Sequence, residues 1–189
     1  MITFITGGAR SGKSSYGEEL VKKTATVATD VLYIPTAKAY DEEMQDRINK
    51  HRIRRPKQWE TLEMPTGFQG LEKNPDFAER SVIMVDCLGV FVTNRMFLKE
   101  WDFDQLTAKE RDQMQEEIQR EVEHLLDILK DKEAYIVSNE VGMGLVPEYP
   151  MGRIFRDILG RVNQQVASRA DEVYFVVSGI PMCLKGEER

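Results

Sequence analysis

The sequence predicts an α/β domain in which a mostly parallel sheet is covered by helices on both faces. Five short apolar runs, rich in Val, Ile, Tyr and Phe, recur along the chain, and amphipathic helical patterns separate them. Strands that are apolar throughout and alternate with helices are typical of a parallel sheet buried on both sides. The length of 189 residues is ordinary for one unit, so we expect residues 1–189 to form a single domain.

The strands and helices are predicted from apolar spacing and residue type. Short runs of β-branched and aromatic residues favour strands, and apolar residues at helical spacing favour amphipathic helices. The predicted strands cover 2–6, 31–36, 81–86, 134–138 and 172–177. The predicted helices cover 14–24, 108–131 and 152–169.

Three further segments complete the expected architecture. Residues 41–54 are predicted to be helical, because acidic residues occupy the first turn, basic residues the last, and Pro56 follows. Residues 64–80 carry two prolines and two glycines and are predicted to form an irregular connection. The chain after Pro181 is expected to be loosely held.

The overall composition excludes several classes of protein. The net charge is −6, which argues against a general nucleic-acid binder. Because no apolar run approaches the roughly 20 residues that cross a bilayer, we expect no membrane insertion and a cytoplasmic location. The two cysteines lie far apart without metal-ligand spacing, so neither a zinc site nor a disulfide framework is indicated.

A glycine-rich stretch, GGARSGKS at 7–14, matches the pattern G-x-x-x-x-G-K-[ST] between a predicted strand and a predicted helix. Glycines let the backbone turn its N–H groups toward phosphate oxygens, and the following helix adds its positive end. Lys13 is then expected to contact the terminal phosphates, and Ser14 to ligate Mg²⁺. The alternative is a glycine-rich turn without a ligand.

Two acidic residues stand at the carboxyl ends of predicted strands, the edge where open parallel sheets bind ligands. Asp86 is expected to help Ser14 hold Mg²⁺, although a turn or helix-capping role is the alternative. Glu140 either orients or deprotonates a nucleophile or sits at the edge of a loop, and the sequence leaves both open.

The densest cationic stretch, RINKHRIRRPKQW at 47–59, contains His51. On a helical wheel Met44, Ile48 and His51 share one face, so His51 is either a packing residue or a nucleophile among phosphate-binding groups. Packing is the commoner role for such a histidine. Neighbouring cations nevertheless favour the neutral imidazole, which is the form that attacks phosphorus.

Taken together, these blocks resemble one family, the bifunctional adenosylcobinamide kinase / adenosylcobinamide-phosphate guanylyltransferases of cobalamin biosynthesis. The 7–14 motif alone indicates only a nucleotide binder, whereas H-x-x-x-R-P and N-E-V-G-x-G-x-V-P are far more specific. The resemblance implies a RecA-like P-loop NTPase sheet and a homo-oligomer, a trimer. The matching blocks are TGGARSGKS (6–14), YIPTA (33–37), DEEMQDRINKHRIRRPKQWETLE (41–63), VDCLGVFVTN (85–94), NEVGMGLVPE (139–148), FRDILGRVNQQVA (155–167) and ADEVYFVVSGIP (170–181).

The resemblance also implies two reactions and a set of site residues. Adenosylcobinamide would be phosphorylated with ATP or GTP, and GMP would then pass from GTP to adenosylcobinamide phosphate, giving adenosylcobinamide-GDP. His51 matches the family histidine that carries GMP covalently, and Lys13 is the other catalytic residue. Mg²⁺ is the implied cofactor, held by Ser14 and Asp86. The implied nucleotide-binding residues are Gly7, Gly8, Ala9, Arg10, Ser11, Gly12, Lys13, Ser14, Thr36, Ala37, Lys38, Arg52, Ile53, Arg54, Arg55, Glu63 and Asp86.

Two other functions compete with this hypothesis. One is a P-loop kinase of another small-molecule alcohol, in which His51 has only a structural role. The other is a non-catalytic nucleotide switch, in which binding reshapes the segment 141–147 to control a partner. Neither alternative requires GMP to become attached to the protein.

Overall fold

The computed structural model describes residues 1–38, 42, 46, 49, 52, 53 and 55–186. Seven strands form one sheet in the order β3-β2-β4-β5-β1-β6-β7. Neighbouring strands run parallel except for β6 and β7, which are antiparallel. The strands are β1 (Ile2–Gly7), β2 (Val31–Pro35), β3 (Glu60–Thr61), β4 (Val82–Asp86), β5 (Glu133–Asn139), β6 (Glu172–Val177) and β7 (Ile180–Lys185).

Helices connect these strands, and local sequence signals mark where several begin. The Asn74 side chain accepts two backbone N–H bonds at the start of α2, and Thr107 with Glu110 forms a capping box at the start of α4. Short 3₁₀ turns cover Ala28–Asp30 and Leu71–Lys73. The helices are α1 (Lys13–Thr24), α2 (Pro75–Glu79), α3 (Leu88–Met96), α4 (Ala108–Leu129) and α5 (Pro150–Arg169).

The core lies on both faces of the sheet, as predicted. Successive residues of a strand point to opposite faces, so Phe4 packs in one apolar cluster and its neighbour Ile5 in the other. The first cluster contains the apolar stripes of α3, α4 and α5, and the second contains Leu20 and Val21 of α1. The prediction of a mostly parallel sheet with helices on both faces is therefore confirmed.

The expectation for the end of the chain was wrong. Residues Ile180–Lys185 form β7, which pairs with β6 through a tight turn at Ser178 and Gly179. Both turn residues have positive φ, 53° and 82°, which is the geometry of a two-residue hairpin turn. The Ser-Gly pair between two apolar runs was the overlooked signal.

The five predicted strands and three predicted helices are all present, with ends displaced by up to two residues. Segment 64–80 is mostly irregular, although it contains α2 and a 3₁₀ turn. The sequence did not predict α3, because six of its nine residues are buried and the other three half-buried, so no exposed polar face alternates with its apolar residues. Of the predicted helix 41–54, the described residues 42, 46, 49, 52 and 53 are helical and exposed. The proposed shared face of Met44, Ile48 and His51 lies outside the described residues.

The sheet order determines which loops meet. β5 lies between β1 and β4, and the three strands run in the same direction. The carboxyl ends of these strands, at Gly7, Asp86 and Asn139, therefore share one edge of the sheet with the segments that follow them. In the part of the chain that the structure describes, no helix is long and apolar enough to cross a membrane.

Candidate active site

The glycine-rich segment 7–14 contains the last residue of β1, the connecting loop and the first two residues of α1, and we call it the phosphate cradle. Gly12 has φ +97° and Arg10 has φ 57°, so the chain turns through left-handed backbone at both positions. A Cβ added at Gly7 would lie 2.5 Å from the carbonyl oxygen of Val176 and 2.7 Å from Ser11 Oγ. The close approach of neighbouring backbone thus explains why glycine occupies this position.

The interior of the cradle carries positive charge and donors. Lys13 is buried, and its Nζ donates to Gly8 O at 3.1 Å. Ser11 Oγ is buried and has no hydrogen-bond partner among the described residues. The first N–H groups of α1 have no partner within the helix, and the helix dipole places partial positive charge there. Such an arrangement binds phosphate. Ala9 and Arg10 are exposed on the outside of the loop.

Asp86, the last residue of β4, lies beside the start of α1. Ser14 Oγ donates to its Oδ1 at 3.3 Å, and Tyr33 OH donates to its Oδ2 at 2.7 Å. The alternative of a helix cap is not observed, because Cys87 occupies the N-cap of α3 and no side chain caps that helix. Ser14 and Asp86 offer adjacent hard oxygen ligands, which is the donor chemistry that Mg²⁺ prefers. The pair fits the predicted metal site.

Two titratable neighbours of Asp86 are held in their neutral forms. Burial, followed by the Asp86 carboxylate, raises the pKa of Tyr33 well above its ordinary value, so its hydroxyl stays a donor. Burial and the same carboxylate raise the pKa of the Cys87 thiol to about 11. Since the thiolate is the reactive form, Cys87 is not a nucleophile at neutral pH.

Next to β2 and β3 lies a cavity of about 420 Å³, which we call the basic cavity. Arg52 NH2 donates to Glu63 Oε1 at 3.1 Å, and Arg55 NH1 donates to Thr61 Oγ1 at 3.1 Å. The cavity brings together three predicted nucleotide-binding residues: Arg52, Arg55 and Glu63. Its lining residues are Arg52, Arg55, Pro56, Lys57, Trp59, Thr61 and Glu63.

Arg55 links the basic cavity, through Tyr33, to Asp86. Its guanidinium lies over the ring of Tyr33, 3.9 Å from the ring centroid. Trp59 stacks on the same tyrosine, with ring centroids 6.4 Å apart. The aromatic ring of Tyr33 therefore contacts the basic cavity, while its hydroxyl contacts Asp86.

The remaining predicted residues differ in their surroundings. Thr36 is fully buried, and its Oγ1 donates to Cys87 O at 2.7 Å and accepts from Cys87 N at 3.1 Å, which ties the end of β2 to the end of β4. Ala37 is half-buried, whereas Lys38 and Ile53 are exposed. His51 and Arg54 lie outside the described residues.

Several polar residues that organise this edge were missed by sequence reasoning. Asn94, 2% exposed, donates to the carbonyl oxygens of Thr36 and Pro65. Asn163 donates to Asn139 O at 2.9 Å and accepts from Ser138 Oγ at 2.6 Å. Asn163 lies among other polar residues of an amphipathic helix, and the contacts of both asparagines join segments that are distant in the sequence, so no local signal could have found them.

The segment 141–149 follows β5, and we call it the apolar loop. Glu140 N donates to Gly7 O at 2.9 Å, so the loop begins against the cradle. Glu140 Oε1 accepts from the backbone N–H groups of Gly142 and Met143, which supports the loop-edge role of Glu140 over a role in deprotonation. Arg153 donates to the carbonyl oxygens of Pro147 and Glu148 at the other end.

Large apolar side chains project from this loop into solvent. Met143 is 80% exposed, Leu145 96%, Val146 65% and Tyr149 72%. Exposed apolar groups that cluster in one place mark a binding surface more often than scattered ones do. The apolar loop is thus a second candidate contact surface at the edge that carries the cradle.

A parallel sheet whose first strand enters a phosphate cradle, with a carboxylate held beside the first residues of the next helix, defines a P-loop nucleotide-binding protein. A family model for cobinamide kinase / cobinamide phosphate guanyltransferase matches residues 3–184. The chain belongs to this family. The prediction of a transferase of cobalamin biosynthesis is confirmed at the level of the family.

Relatives with assigned names agree with this assignment. The bifunctional adenosylcobalamin biosynthesis protein CobU of Escherichia coli (strain K12) is 39% identical, covering 98% of this chain and 100% of that protein. The corresponding protein CobP of Pseudomonas aeruginosa is 38% identical over 99% of both chains. Among solved structures, the flagellar accessory protein FlaH from Methanocaldococcus jannaschii has a TM-score of 0.47 and 14% identity, covering 98% of this chain and 78% of that one.

Proposed function

We propose that this chain carries out both reactions named for its family: phosphorylation of adenosylcobinamide, followed by transfer of GMP from GTP to adenosylcobinamide phosphate. The observation that carries the proposal is the pairing of Ser14 with Asp86 inside the phosphate cradle, beside a cavity that holds Arg52, Arg55 and Glu63. The cradle supports a nucleoside triphosphate as substrate, and the arginines support contacts with its phosphates.

In the kinase reaction, the terminal phosphoryl group of ATP or GTP moves to the hydroxyl of the aminopropanol arm of adenosylcobinamide, and a nucleoside diphosphate leaves. Lys13 and the cradle amides contact the phosphates and offset the charge that develops on the transferring group. Ser14 and Asp86 would hold Mg²⁺, which would supply further positive charge to offset that of the phosphates. The contribution of the protein is chiefly electrostatic and positional.

In the guanylyl transfer, the neutral imidazole of His51 attacks the α-phosphorus of GTP, and pyrophosphate leaves. The phosphate of adenosylcobinamide phosphate then attacks the phosphorus of the His51–GMP intermediate, and the bond to the imidazole breaks. The product is adenosylcobinamide-GDP, and His51 is regenerated. The covalent step divides one difficult displacement into two easier ones. Arg52, Arg54 and Arg55 would contact the phosphates of GTP.

The apolar loop is the part of the site that we assign to the corrinoid acceptor. A corrin ring presents a large hydrocarbon surface, and the exposed Met143, Leu145 and Val146 offer a surface of the same character. The hydrogen bond from Glu140 N to Gly7 O fixes the start of this loop against the cradle. An acceptor on the loop would therefore lie at the edge of the sheet that binds the phosphates.

Three further features belong to the proposal. Mg²⁺ is the cofactor, and the chain assembles as a homo-oligomer, a trimer by family resemblance. The enzyme works in the cytoplasm, where its nucleotide substrates are available. Neither nucleic acid nor a membrane takes part.

The experiment that tests the proposal is covalent labelling with α-³²P-GTP in the absence of the corrinoid. We expect an acid-labile label on the wild-type protein and none on His51→Ala. His124→Ala is the matched control, since the chain has only two histidines and His124 lies on α4 facing Glu72 at 4.0 Å. Adding adenosylcobinamide phosphate should remove the label as adenosylcobinamide-GDP.

Two outcomes would contradict the proposal. Undiminished labelling of His51→Ala would exclude His51 as the nucleophile. A wild-type protein that takes no label, and converts neither corrinoid, would instead favour a kinase of another alcohol or a nucleotide switch.

A further inference from the structure

The carboxylate of Asp86 has a different partner on each oxygen. Oδ1 accepts from Ser14 at 3.3 Å, and Oδ2 accepts from Tyr33 at 2.7 Å. The shorter bond comes from a residue outside the cradle and outside the predicted set of site residues. The orientation of the metal-binding carboxylate therefore depends on Tyr33 as well as on Ser14.

The hydroxyl of Tyr33 is held in a fixed direction by its surroundings. Tyr33 is 2% exposed and pairs with Met84 across the parallel ladder between β2 and β4, two residues before Asp86. Trp59 and the guanidinium of Arg55 both pack on its ring. A phenol confined in this way presents its O–H to one place only, which is Asp86 Oδ2.

We propose that Tyr33 is a positioning residue for the magnesium–nucleotide complex, because its hydroxyl anchors Asp86 Oδ2 and so keeps Oδ1 facing Ser14. This inference rests on the nucleotide-binding part of the proposed function. Without the phenol, the carboxylate is free to rotate about its bond to Cβ and to leave Ser14. Loss of such an outer partner typically weakens metal binding or activity about 10- to 100-fold.

The contacts of Tyr33 allow its two roles to be separated. Tyr33→Phe removes the hydroxyl and keeps the ring that packs against Trp59 and Arg55. Tyr135→Phe is the matched control, since Tyr135 is also a buried tyrosine, on β5. Its hydroxyl bonds at 2.5 Å to Oγ1 of Thr24, the last residue of α1. Each variant loses one buried phenol hydroxyl, and that of Tyr135 bonds to Thr24 whereas that of Tyr33 bonds to Asp86.

The experiment measures the Kd of mant-GTP, a fluorescent GTP derivative, for the full chain in excess Mg²⁺ and again in EDTA. The quantity of interest is the ratio of the two Kd values, which states how much Mg²⁺ strengthens binding. We expect Tyr33→Phe to reduce this ratio about tenfold, with little change in EDTA. Tyr135→Phe should keep the wild-type ratio. If part of a variant is unfolded, the active fraction falls by the same factor in Mg²⁺ and in EDTA. The ratio of the two Kd values is therefore not affected by partial unfolding.

Each remaining outcome is decisive. A Tyr33→Phe protein with the wild-type ratio would overturn the positioning role, as would one that binds no mant-GTP in EDTA, where the carboxylate has no metal to hold. The double variant Tyr33→Phe with Asp86→Asn gives a further test. If the two changes lower the Kd ratio independently, so that their free-energy effects add, the positioning role is also contradicted, since the phenol is proposed to act only through that carboxylate. Failure of the wild type to bind mant-GTP at all would instead refute the proposed function.

Discussion

The phosphate cradle and the apolar loop lie at the same edge of the sheet and are built in opposite ways. The cradle turns its backbone and one buried lysine inward, and neighbouring strands crowd it so closely that Gly7 has no room for a Cβ. The apolar loop is also held by hydrogen bonds, through Glu140 and Arg153, yet it directs large side chains outward. Glu140, which immediately precedes the apolar loop, donates its backbone N–H to Gly7 O and so links the loop to the cradle.

This difference separates two kinds of recognition. In the proposed function, phosphate binding in the cradle depends on charges and N–H groups at fixed positions, so we expect the loss of one group to damage the whole arrangement. Contact with an apolar acceptor scales with the area removed from water, so each side chain contributes an increment. We therefore expect changes in the cradle to affect every step, and changes in the apolar loop to affect the acceptor alone.

The largest effect is expected for Lys13→Ala. Its ammonium group is predicted to contact the terminal phosphates, and its removal should slow both phosphoryl transfer and GMP transfer on the order of 10³-fold. Single-turnover assays with labelled ATP and GTP measure the two steps separately. Lys23→Ala is the matched control, because Lys23 is an exposed lysine in the last turn of the same helix.

A loss confined to the kinase step in Lys13→Ala would contradict the proposal that one cradle serves both reactions. It would mean that the two nucleotides bind at separate sites. The cradle would then serve the kinase reaction only.

A smaller effect is expected for Gly7→Ala, which tests the crowding of the cradle directly. The new Cβ would lie 2.5 Å from Val176 O, so the backbone must shift at a cost of about 1–3 kcal/mol. The affinity for mant-GTP should fall about 10- to 100-fold, and thermal unfolding should move to lower temperature. The control is Gly144→Ala in the apolar loop, where an added Cβ meets nothing within 4 Å. Equal effects of the two variants would show that crowding does not set the cradle geometry.

The sequence predicted the cradle better than its surroundings, and for a physical reason. Phosphate binding needs particular residues at consecutive positions, so the segment 7–14 and its flanking strand and helix could be recognised locally. The partner Asp86 could be placed because parallel strands end at a common edge. Contacts between residues that are distant in the chain determine the roles of Tyr33, Asn94 and Asn163. The residues adjacent to them in the sequence do not predict those contacts.

The distinction between local and long-range signals also explains which helices and strands the sequence failed to predict. Amphipathic helices and apolar strands carry their own periodicity, so α1, α4 and α5 were predicted within two residues. α3 packs between the sheet and its neighbouring helices, and none of its residues is exposed. Its sequence therefore lacks the clear division into a polar and an apolar face by which an amphipathic helix is recognised. β3 has only two residues and depends on pairing with β2. β7 depends on a hairpin turn that the apolar pattern alone does not reveal.

The smallest effect is expected for Leu145→Asp, which tests the other half of the comparison. Leu145 is 96% exposed, so the variant should fold normally, and the loss of one apolar contact together with the new charge should raise the KM for adenosylcobinamide about tenfold. The Kd for mant-GTP should not change. Val27→Asp is the control, since Val27 is also exposed but precedes β2, and so lies at the opposite edge of the sheet.

The pattern of KM values for Leu145→Asp distinguishes one acceptor site from two. If the KM for adenosylcobinamide in the kinase step and that for adenosylcobinamide phosphate in the guanylyl step rise by the same factor, the corrin ring rests on the apolar loop in both reactions. The acceptor would then stay in place while the phosphorus that it attacks changes from the terminal phosphorus of the nucleoside triphosphate to the phosphorus of the His51–GMP intermediate. If the corrin ring covers Leu145, the apolar surface removed from water strengthens acceptor binding, and the loss of that side chain must raise the KM. A KM for Leu145→Asp that rises no more than the KM for Val27→Asp would therefore exclude the apolar loop as the acceptor surface.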